Sequence, residues 1–296
     1  ARYSPKYFGQ DKGVSAMTLV LNHVPANSKI ISSDEHESHH IFDLLHNNTS
    51  EVKPDILSTD THGTNKYNFA ILHFFGYQFA PRYKTFKDQF ERMFDVESSE
   101  DQEQLITLKS PIDWELISQE WDNICQLMIS LGQHKTSQST LIKKLCRYKS
   151  TTATLKALAE YDRVIKAQYI LAYIDNETLR HHVQRALNRG EAFHQLRRVI
   201  AETNGKKFRG SHQAELTLWN ECARLIANCV IHYNAQILSK LKDYNESQNN
   251  KDNLEVLKRI SPVAWYHINF SGFYSFEENE NMHDFGALAR NVYLNL

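Results

Sequence analysis

Short runs of β-branched and aliphatic residues mark the first eighty positions, and a three-to-four-residue apolar repeat marks almost everything after them. Residues 16–24 (Ala16 to Val24) and 29–32 (Lys29 to Ser32) read as two strands joined by Pro25-Ala26-Asn27-Ser28, which supplies turn chemistry, so a hairpin is predicted. Asp34-x-x-Glu37 has the spacing of a capping box, and Ile41, Leu44 and Leu45 carry helical spacing to about Asn48. Residues 55–59 predict a short strand that ends at Asp60. Beyond Thr61-His62-Gly63, the spacing of Tyr67, Ala70, Ile71, Phe74 and Phe75 predicts a helix closed by Gly76. Tyr77 to Ala80 then returns as a strand before Pro81. The order strand, strand, helix, strand, helix, strand belongs to a mixed α/β layer.

From about residue 84 the pattern is helical. Trp114, Ile117, Trp121, Ile124 and Met128 form one apolar stripe, Leu141 to Leu145 a second and Leu155 to Leu171 a third, all read as core. A last long helix is predicted from about Gln213 to Tyr244, with Leu216, Trp219, Ala223, Ile226, Val230 and Tyr233 on one face. Asn245 to Asn253 reads as a polar linker. The tail from Ser261 carries Trp265, Tyr266, Phe270, Phe273, Tyr274 and Phe276, so it is expected to pack against something.

Composition narrows this picture. At 296 residues and 41% hydrophobic, the chain has the apolar mass for one or two cores, and only 10 Gly and 6 Pro favour long uninterrupted helices. No apolar run approaches the ~18 residues that a membrane span needs. Cys125, Cys146, Cys222 and Cys229 contain no Cys-x-x-Cys pair and are expected to be buried reduced thiols of a cytosolic protein. The net charge of −1 argues against a histone-like protein, yet charge is unevenly placed. Between Lys135 and Arg209 there are 16 Lys/Arg and 6 Asp/Glu, whereas between Asp88 and Asp122 there are 11 acidic residues against Arg92 and Lys109. A basic helical segment suits a phosphate backbone, whose counterions it would release, or it is a solvated helix face; charge alone leaves both open.

His36-Glu37-Ser38-His39-His40 matches His-Glu-x-x-His, which on a helix would present two imidazoles to zinc. The match falls at a predicted cap with no downstream ligand to complete it, so polar residues at a helix mouth are the better reading. Asp60 follows an apolar strand, where a carboxylate projects into the crevice in which α/β proteins bind ligands and metals; a turn-forming Asp is the alternative. Glu191, in Asn188-Arg189-Gly190-Glu191, reads as an acid opening a helix within the most basic stretch, and a first-turn Glu favoured by the helix dipole is its plain alternative. Gly-rich phosphate loops, Gly-x-Ser-x-Gly elbows and kinase motifs are missing from the sequence. What remains is oxygen ligands suited to a hard divalent cation beside a basic surface.

At these residues the sequence resembles the C-terminal part of replicative transposases of the Tn3 family, gamma-delta type. The carriers are Arg2-Tyr3-Ser4-Pro5-Lys6-Tyr7-Phe8-Gly9 with Lys12-Gly13-Val14, Glu35-His36-Glu37-Ser38, and Ser58-Thr59-Asp60-Thr61-His62-Gly63-Thr64-Asn65 leading to Gly76-Tyr77-Gln78-Phe79-Ala80-Pro81-Arg82. Tyr173-Ile174-Asp175, Leu187-Asn188-Arg189-Gly190-Glu191 and His267-Ile268-Asn269 follow in the same order. The resemblance implies an α/β, ribonuclease H-like mixed sheet core with a large helical insertion and a helical C-terminal part. Residues 1–83 would form the β-rich half carrying Asp60, 84–188 the helical insertion, 189–244 the helices completing the core with Glu191, and 245–296 a linker and packed aromatic tail.

By the same resemblance Asp60 is the second and Glu191 the third carboxylate of an Asp-Asp-Glu site that holds two Mg²⁺ ions. One metal would activate water for 3′-end nicking and then the freed 3′-hydroxyl for strand transfer, and the other would stabilise the leaving oxygen. Glu221 rivals Glu191 but reads as mid-helix among apolar neighbours. Arg82, Lys84, Arg197 and Arg198 are expected to hold DNA phosphates, and His194 either orients a phosphate or packs. The partners implied are double-stranded DNA, as transposon terminal inverted repeats and target, and further copies of the full-length protein; the setting implied is the bacterial cytosol at the nucleoid, with no membrane. The family's first catalytic Asp precedes Arg2-Tyr3-Ser4-Pro5, and neither Asp11 nor Asp34 fits it, so a fragment inactive on its own is expected. The alternative is an inactive DNA-binding or regulatory remnant of a truncated transposase gene.

Overall fold

The computed structural model describes residues 2–3, 12–99, 102–147, 152–203, 205, 210, 212–273 and 287. Residues 4–9 of the first resemblance island, and Tyr274 and Phe276 of the tail, lie outside the described residues, as does the Cys146 side chain. The architecture is mixed α/β and mostly helical. Strands β1 (Arg2–Tyr3), β2 (Lys12–Leu21) and β3 (Val24–Ser32) form a sheet in that order, with β1 antiparallel to β2. Strands β4 (Ile56–Leu57) and β5 (Gln78–Phe79) form a parallel pair, and β6 (Phe94–Ser99) and β7 (Gln102–Leu108) an antiparallel hairpin. The described strands thus make three small sheets.

The helices are α1 (Ile41–His46), α2 (Asn68–Phe74), α3 (Phe86–Met93), α4 (Trp114–Gly132), α5 (Gln138–Arg147), α6 (Ala153–Asp175), α7 (Glu177–Glu202), α8 (Gln213–Ser247) and α9 (Lys251–Leu257). None is long and apolar enough to cross a membrane among the described residues. Two compact units divide the chain: residues 1–19 with 31–188, and residues 20–30 with 189–296.

In the first unit, α2 is almost wholly buried, with Phe69, Ala70, Ile71 and Leu72 all at 1% exposure or less. Such a helix reads as apolar all round, and it packs on α6, where Phe69 meets Phe79 and Tyr169 at ring separations of 4.9 and 5.6 Å. Gly76, at φ +79, follows the helix; the N–H groups of Gly76 and Tyr77 donate back to His73 and Leu72, a left-handed closure that glycine adopts freely. In the second unit, Phe193, Leu196 and Ile200 from α7 pack with Ala223, Ala227, Val230 and Ile231 from α8 and with Val263. Asn234 on α8 donates through Nδ2 to the carbonyls of Pro262 and Ala264 and accepts at Oδ1 from His267 Nε2, so the segment around 262–270 is laid on α8 as its aromatic content required. Tyr266 and Phe273 remain exposed.

Several expectations change. The hairpin turns at Asn22 and His23, not at Pro25 to Ser28, because Asn22 takes the left-handed conformation (φ 58) that a two-residue hairpin turn demands. The helix expected over 34–48 is a 3-10 turn at Glu37–His39 followed by α1, and no side-chain cap closes the turn's N-terminus. The hairpin β6–β7 lies inside the stretch read as helical. Glu191 is in mid-helix rather than in a first turn, since α7 runs unbroken from Glu177 to Glu202. Asn245 is a buried helix residue, and the expected linker is a tight connection in which Asn250 N–H donates to Asn245 and Asn249 is left-handed. Trp114 and Trp121 are exposed, at 61% and 38%, so only Ile117, Ile124 and Met128 of that stripe are core. Cys222 and Cys229 are free but exposed, not buried.

Candidate active site

Asp60 stands where the β4–β5 ladder runs out. The two-residue strands are extended by backbone bonds from Gln78 to Asp55, Ala80 to Leu57 and Arg82 to Thr59, the last at 2.8 Å. A parallel ladder carries both strands in one direction, so Asp60 and Arg82 emerge together at its C-terminal end. The Asp60 side chain is exposed and caps the 3-10 turn Thr61–Gly63 by accepting from the His62 N–H at 3.0 Å. Thr61 Oγ1 accepts from the Lys84 N–H at 3.1 Å and donates to the Arg82 carbonyl at 3.3 Å. Arg82 and Lys84 therefore flank the Asp60 turn with both side chains exposed and unpaired among the described residues.

Buried amides fix this turn from below. Asn68 Nδ2 donates to the Gly63 and Ser38 carbonyls at 2.8 and 3.0 Å, and its Oδ1 accepts from Gln138 Nε2 at 2.6 Å. Gln138 is itself fully buried, accepting from Phe42 N–H and capped by the Asp43 carboxylate. Gly63 packs so closely that a Cβ there would lie 2.3 Å from Thr59 Oγ1 and 2.5 Å from Thr59 Cβ. A satisfied buried network of this kind defines one conformation, because each unmade bond would leave a desolvated polar group.

The same network brings Glu37 into the field of Asp60. Desolvation and then the Asp60 charge raise the Glu37 carboxyl above the usual range, opposed by His62 and His36. The local sequence offers Glu37 a capping role or, within the His-Glu-x-x-His match, that of a general base, since nothing local couples residues 37 and 60. The His-Glu-x-x-His match is not a metal-binding helix: His40 is buried and bonded to Glu35 at 2.7 Å, and no group of three His, Cys, Asp or Glu placed to hold a metal occurs among the described residues.

Glu191 and its rival differ in what they touch. Both sit within long helices, so position along the helix does not separate them. Glu191 is exposed and has no hydrogen bond or ion pair among the described residues. Glu221 accepts from Ser28 Oγ at 2.6 Å and from Arg224 Nε at 2.9 Å, and Arg224 Nη1 reaches on to the Ala26 and Pro25 carbonyls at 2.9 and 3.2 Å. Desolvation pushes the Glu221 carboxyl up, but bonds from Arg224, Ser28 and Asn220 with the Arg224 charge outweigh it and hold it below the usual range. Glu221 is thereby committed to fastening β3 to α8. Arg197 joins the same lattice, donating to Asn220 Oδ1 at 2.6 Å, while Asn220 Nδ2 donates to Ser28 Oγ at 2.7 Å. Its guanidinium is half-buried, whereas Arg198 is exposed and unpaired among the described residues.

Comparison with known proteins gives these residues their context. The transposase for transposon Tn1546 of Enterococcus faecium is 27% identical over 281 residues, which cover 93% of this chain and 28% of that protein. The transposase for transposon Tn2501 of Escherichia coli is 29% identical over 289 residues, 92% of this chain and 27% of that protein. The transposase for transposon gamma-delta of Escherichia coli K12 is 26% identical over 297 residues, 98% of this chain and 29% of that protein. The chain thus spans less than a third of the length of these relatives. No solved structure matches it. The model of the Tn3 transposase DDE domain matches residues 1–274, and the chain belongs to that family.

Proposed function

We propose that this chain is the catalytic-domain part of a DNA transposase that performs 3′-end nicking and strand transfer in replicative transposition, with a ribonuclease H-like core. The reading rests above all on the Asp60 turn: an exposed carboxylate at the C-terminal end of a parallel ladder, with Arg82 and Lys84 held beside it by Thr61. Asp60 is the second and Glu191 the third carboxylate. The partner freedom of Glu191 and the full commitment of Glu221 to Arg224 and Ser28 favour that choice.

Carboxylate oxygens are the right donors for a hard divalent cation such as Mg²⁺. The described residues nevertheless present no group of three ligands, so these two carboxylates do not make a metal site by themselves. What the chain's own residues supply is charge and position. Arg82 and Lys84 would hold a DNA phosphate against the Asp60 turn, and Arg198 another near Glu191, while Arg197 acts through Asn220 to keep α7 and α8 in register. His194 lies exposed on the Glu191 helix beside the Phe193 ring, where it would orient a phosphate or simply pack. DNA carrying transposon ends and target, self-association of the full-length protein, and a place at the bacterial nucleoid belong to the same proposal.

In a full-length transposase carrying this domain, Asp60→Ala and Glu191→Ala should each reduce strand transfer to background while leaving the thermal midpoint near that of the parent. Activity surviving either substitution would remove the assignment. For this chain alone the proposal is DNA binding without cleavage, the behaviour of a regulatory remnant. Mg²⁺-dependent nicking of a duplex by the 296-residue chain would overturn that part.

A further inference from the structure

Outside the Asp60 turn, the first compact unit holds a cavity of about 250 Å³ lined by Gln89, Arg92, Met93, Ser110, Arg163 and Lys166. Three of these six residues are cations and none is an acid. Arg163 is held in place, with Nη1 donating to both Glu160 oxygens at 2.9 and 2.6 Å and Nη2 to the Ser110 carbonyl at 2.9 Å. Lys166 Nζ donates to Gln89 Oε1 at 3.0 Å and lies 5.4 Å from the centroid of the Tyr83 ring. Arg92, on α3, is exposed and makes no hydrogen bond or ion pair among the described residues.

The charges around this cavity do not balance. Glu160 is spent on Arg163. Asp162, the acid facing Lys166, is buried and accepts from the Ala70 N–H at 3.0 Å. Burial lowers the Lys166 ammonium first; Asp162 opposes that, and Arg92 adds to it by repulsion. An anion seated among these cations would relieve the repulsion between Arg92 and Lys166 and take up the remaining N–H donors.

We propose that the cavity between α3, Ser110 and α6 binds a phosphate oxyanion through Arg92, Arg163 and Lys166. Arg92 supplies a guanidinium that is unpaired among the described residues, Lys166 an ammonium steadied by Gln89, and Arg163 a guanidinium whose plane its two protein contacts have already fixed. Two sources could present such a group, a DNA backbone and free phosphate. The duplex arm of the test rests on the DNA reading above; the pocket itself does not, because it shares no residue with the Asp60 and Glu191 assignment.

The test titrates this chain with inorganic phosphate, followed by amide chemical shifts, and measures duplex binding across a salt series. Arg92→Gln and Arg92→Gln/Lys166→Gln are compared with the parent. Arg92 has no structural partner to lose, so its single variant remains folded and interpretable even if the double variant does not. The expected result is phosphate-induced shifts at Ser110 and Gln89 in the parent, lost in Arg92→Gln, with a duplex salt slope reduced by about one per phosphate contact removed. Lost shifts with an unchanged slope would identify free phosphate as the ligand. Parent and Arg92→Gln behaving alike in both arms would overturn the proposal. Strand transfer by Asp60→Ala in the full-length protein reads out the catalytic assignment separately.

Discussion

Glu221 and Asp162 are both carboxylates with displaced titrations, and they push stability in opposite directions with pH. The Glu221 carboxyl is held below its ordinary value, so its contribution is complete above about pH 4.5 and is lost as pH falls through the lower folded value. Glu221→Gln should flatten the acid limb of a stability–pH curve and cost about 1 kcal/mol near neutrality, a figure kept small because the pair is partly exposed. Asp162 is fully buried and pushed up to about 7 by desolvation, against opposing effects of the Ala70 N–H, Lys166 and the Phe69 N–H. The folded state therefore binds its proton more tightly than the unfolded chain, and stability should fall as pH rises from about 4 towards 7, then level off. Asp162→Asn keeps an acceptor for Ala70 and should abolish that decline, as denaturant melts at a series of pH values would register. Residue roles were unequally legible in the sequence. Asp60 could be read because strand, acid and turn are contiguous. Glu37 could not be coupled to it, because the backbone around the two is held together by Asn65, Asn68 and Gln138, and the last of these lies 70 positions from Asn68.

At the scale of elements, the Asp60 turn depends on a glycine for space rather than for dihedral freedom. Any side chain at Gly63 must displace Thr59, the residue whose carbonyl receives the Arg82 N–H. Gly63→Ala is therefore expected to cost about 1–3 kcal/mol, seen as a lower thermal midpoint, and to weaken duplex binding by loosening Arg82 and Lys84 together. Unchanged stability in that variant would mean that the turn relaxes without its neighbours. The elements most faithfully read from the sequence, β4, α2 and β5, have apolar runs bounded by Asp60, Gly76 and Pro81. The missed hairpin β6–β7 has less contrast: Phe94 is buried at its start, but Val96, Leu105, Ile106 and Leu108 are exposed, so among the described side chains no alternating buried face imposes a period-two pattern on an acidic stretch. The misplaced turn has a related cause. Pro25 and Ser28 read as turn residues, but the Pro25 carbonyl accepts from Arg224, and Ser28 hydroxyl meets Glu221 and Asn220, partners some two hundred positions away that no local window contains.

For the whole molecule, the net charge of −1 conceals a basic stretch and an acidic one. Duplex binding by this chain should accordingly weaken steeply with salt, whereas a uniformly neutral surface would give a flat series. The family's mixed α/β character was legible from the chain; a continuous sheet was not found, since the described strands fall into three separate sets. The ladder of β4 and β5 is only as long as its backbone bonds extend it, and what gives the Asp60 region its shape is packing against α2 and α6.

The docking of residues 20–30 with residues 189–296 also sets how the polypeptide can be made. Ser28 and Glu221 are separated by 193 positions, so the second unit is discontinuous in the chain and closes one of the longest loops available to it. During synthesis the hairpin tip precedes α8, so the contacts of Pro25, Ala26 and Ser28 with Arg224 and Glu221 can form only after α8 has been made. Closing so long a loop is entropically costly and slow, and it places a late, concerted step at the end of folding. A separately produced 189–296 fragment would lack the strand that Arg224 and Asn220 grip, and adding a peptide covering residues 20–30 in trans should restore its cooperative melting.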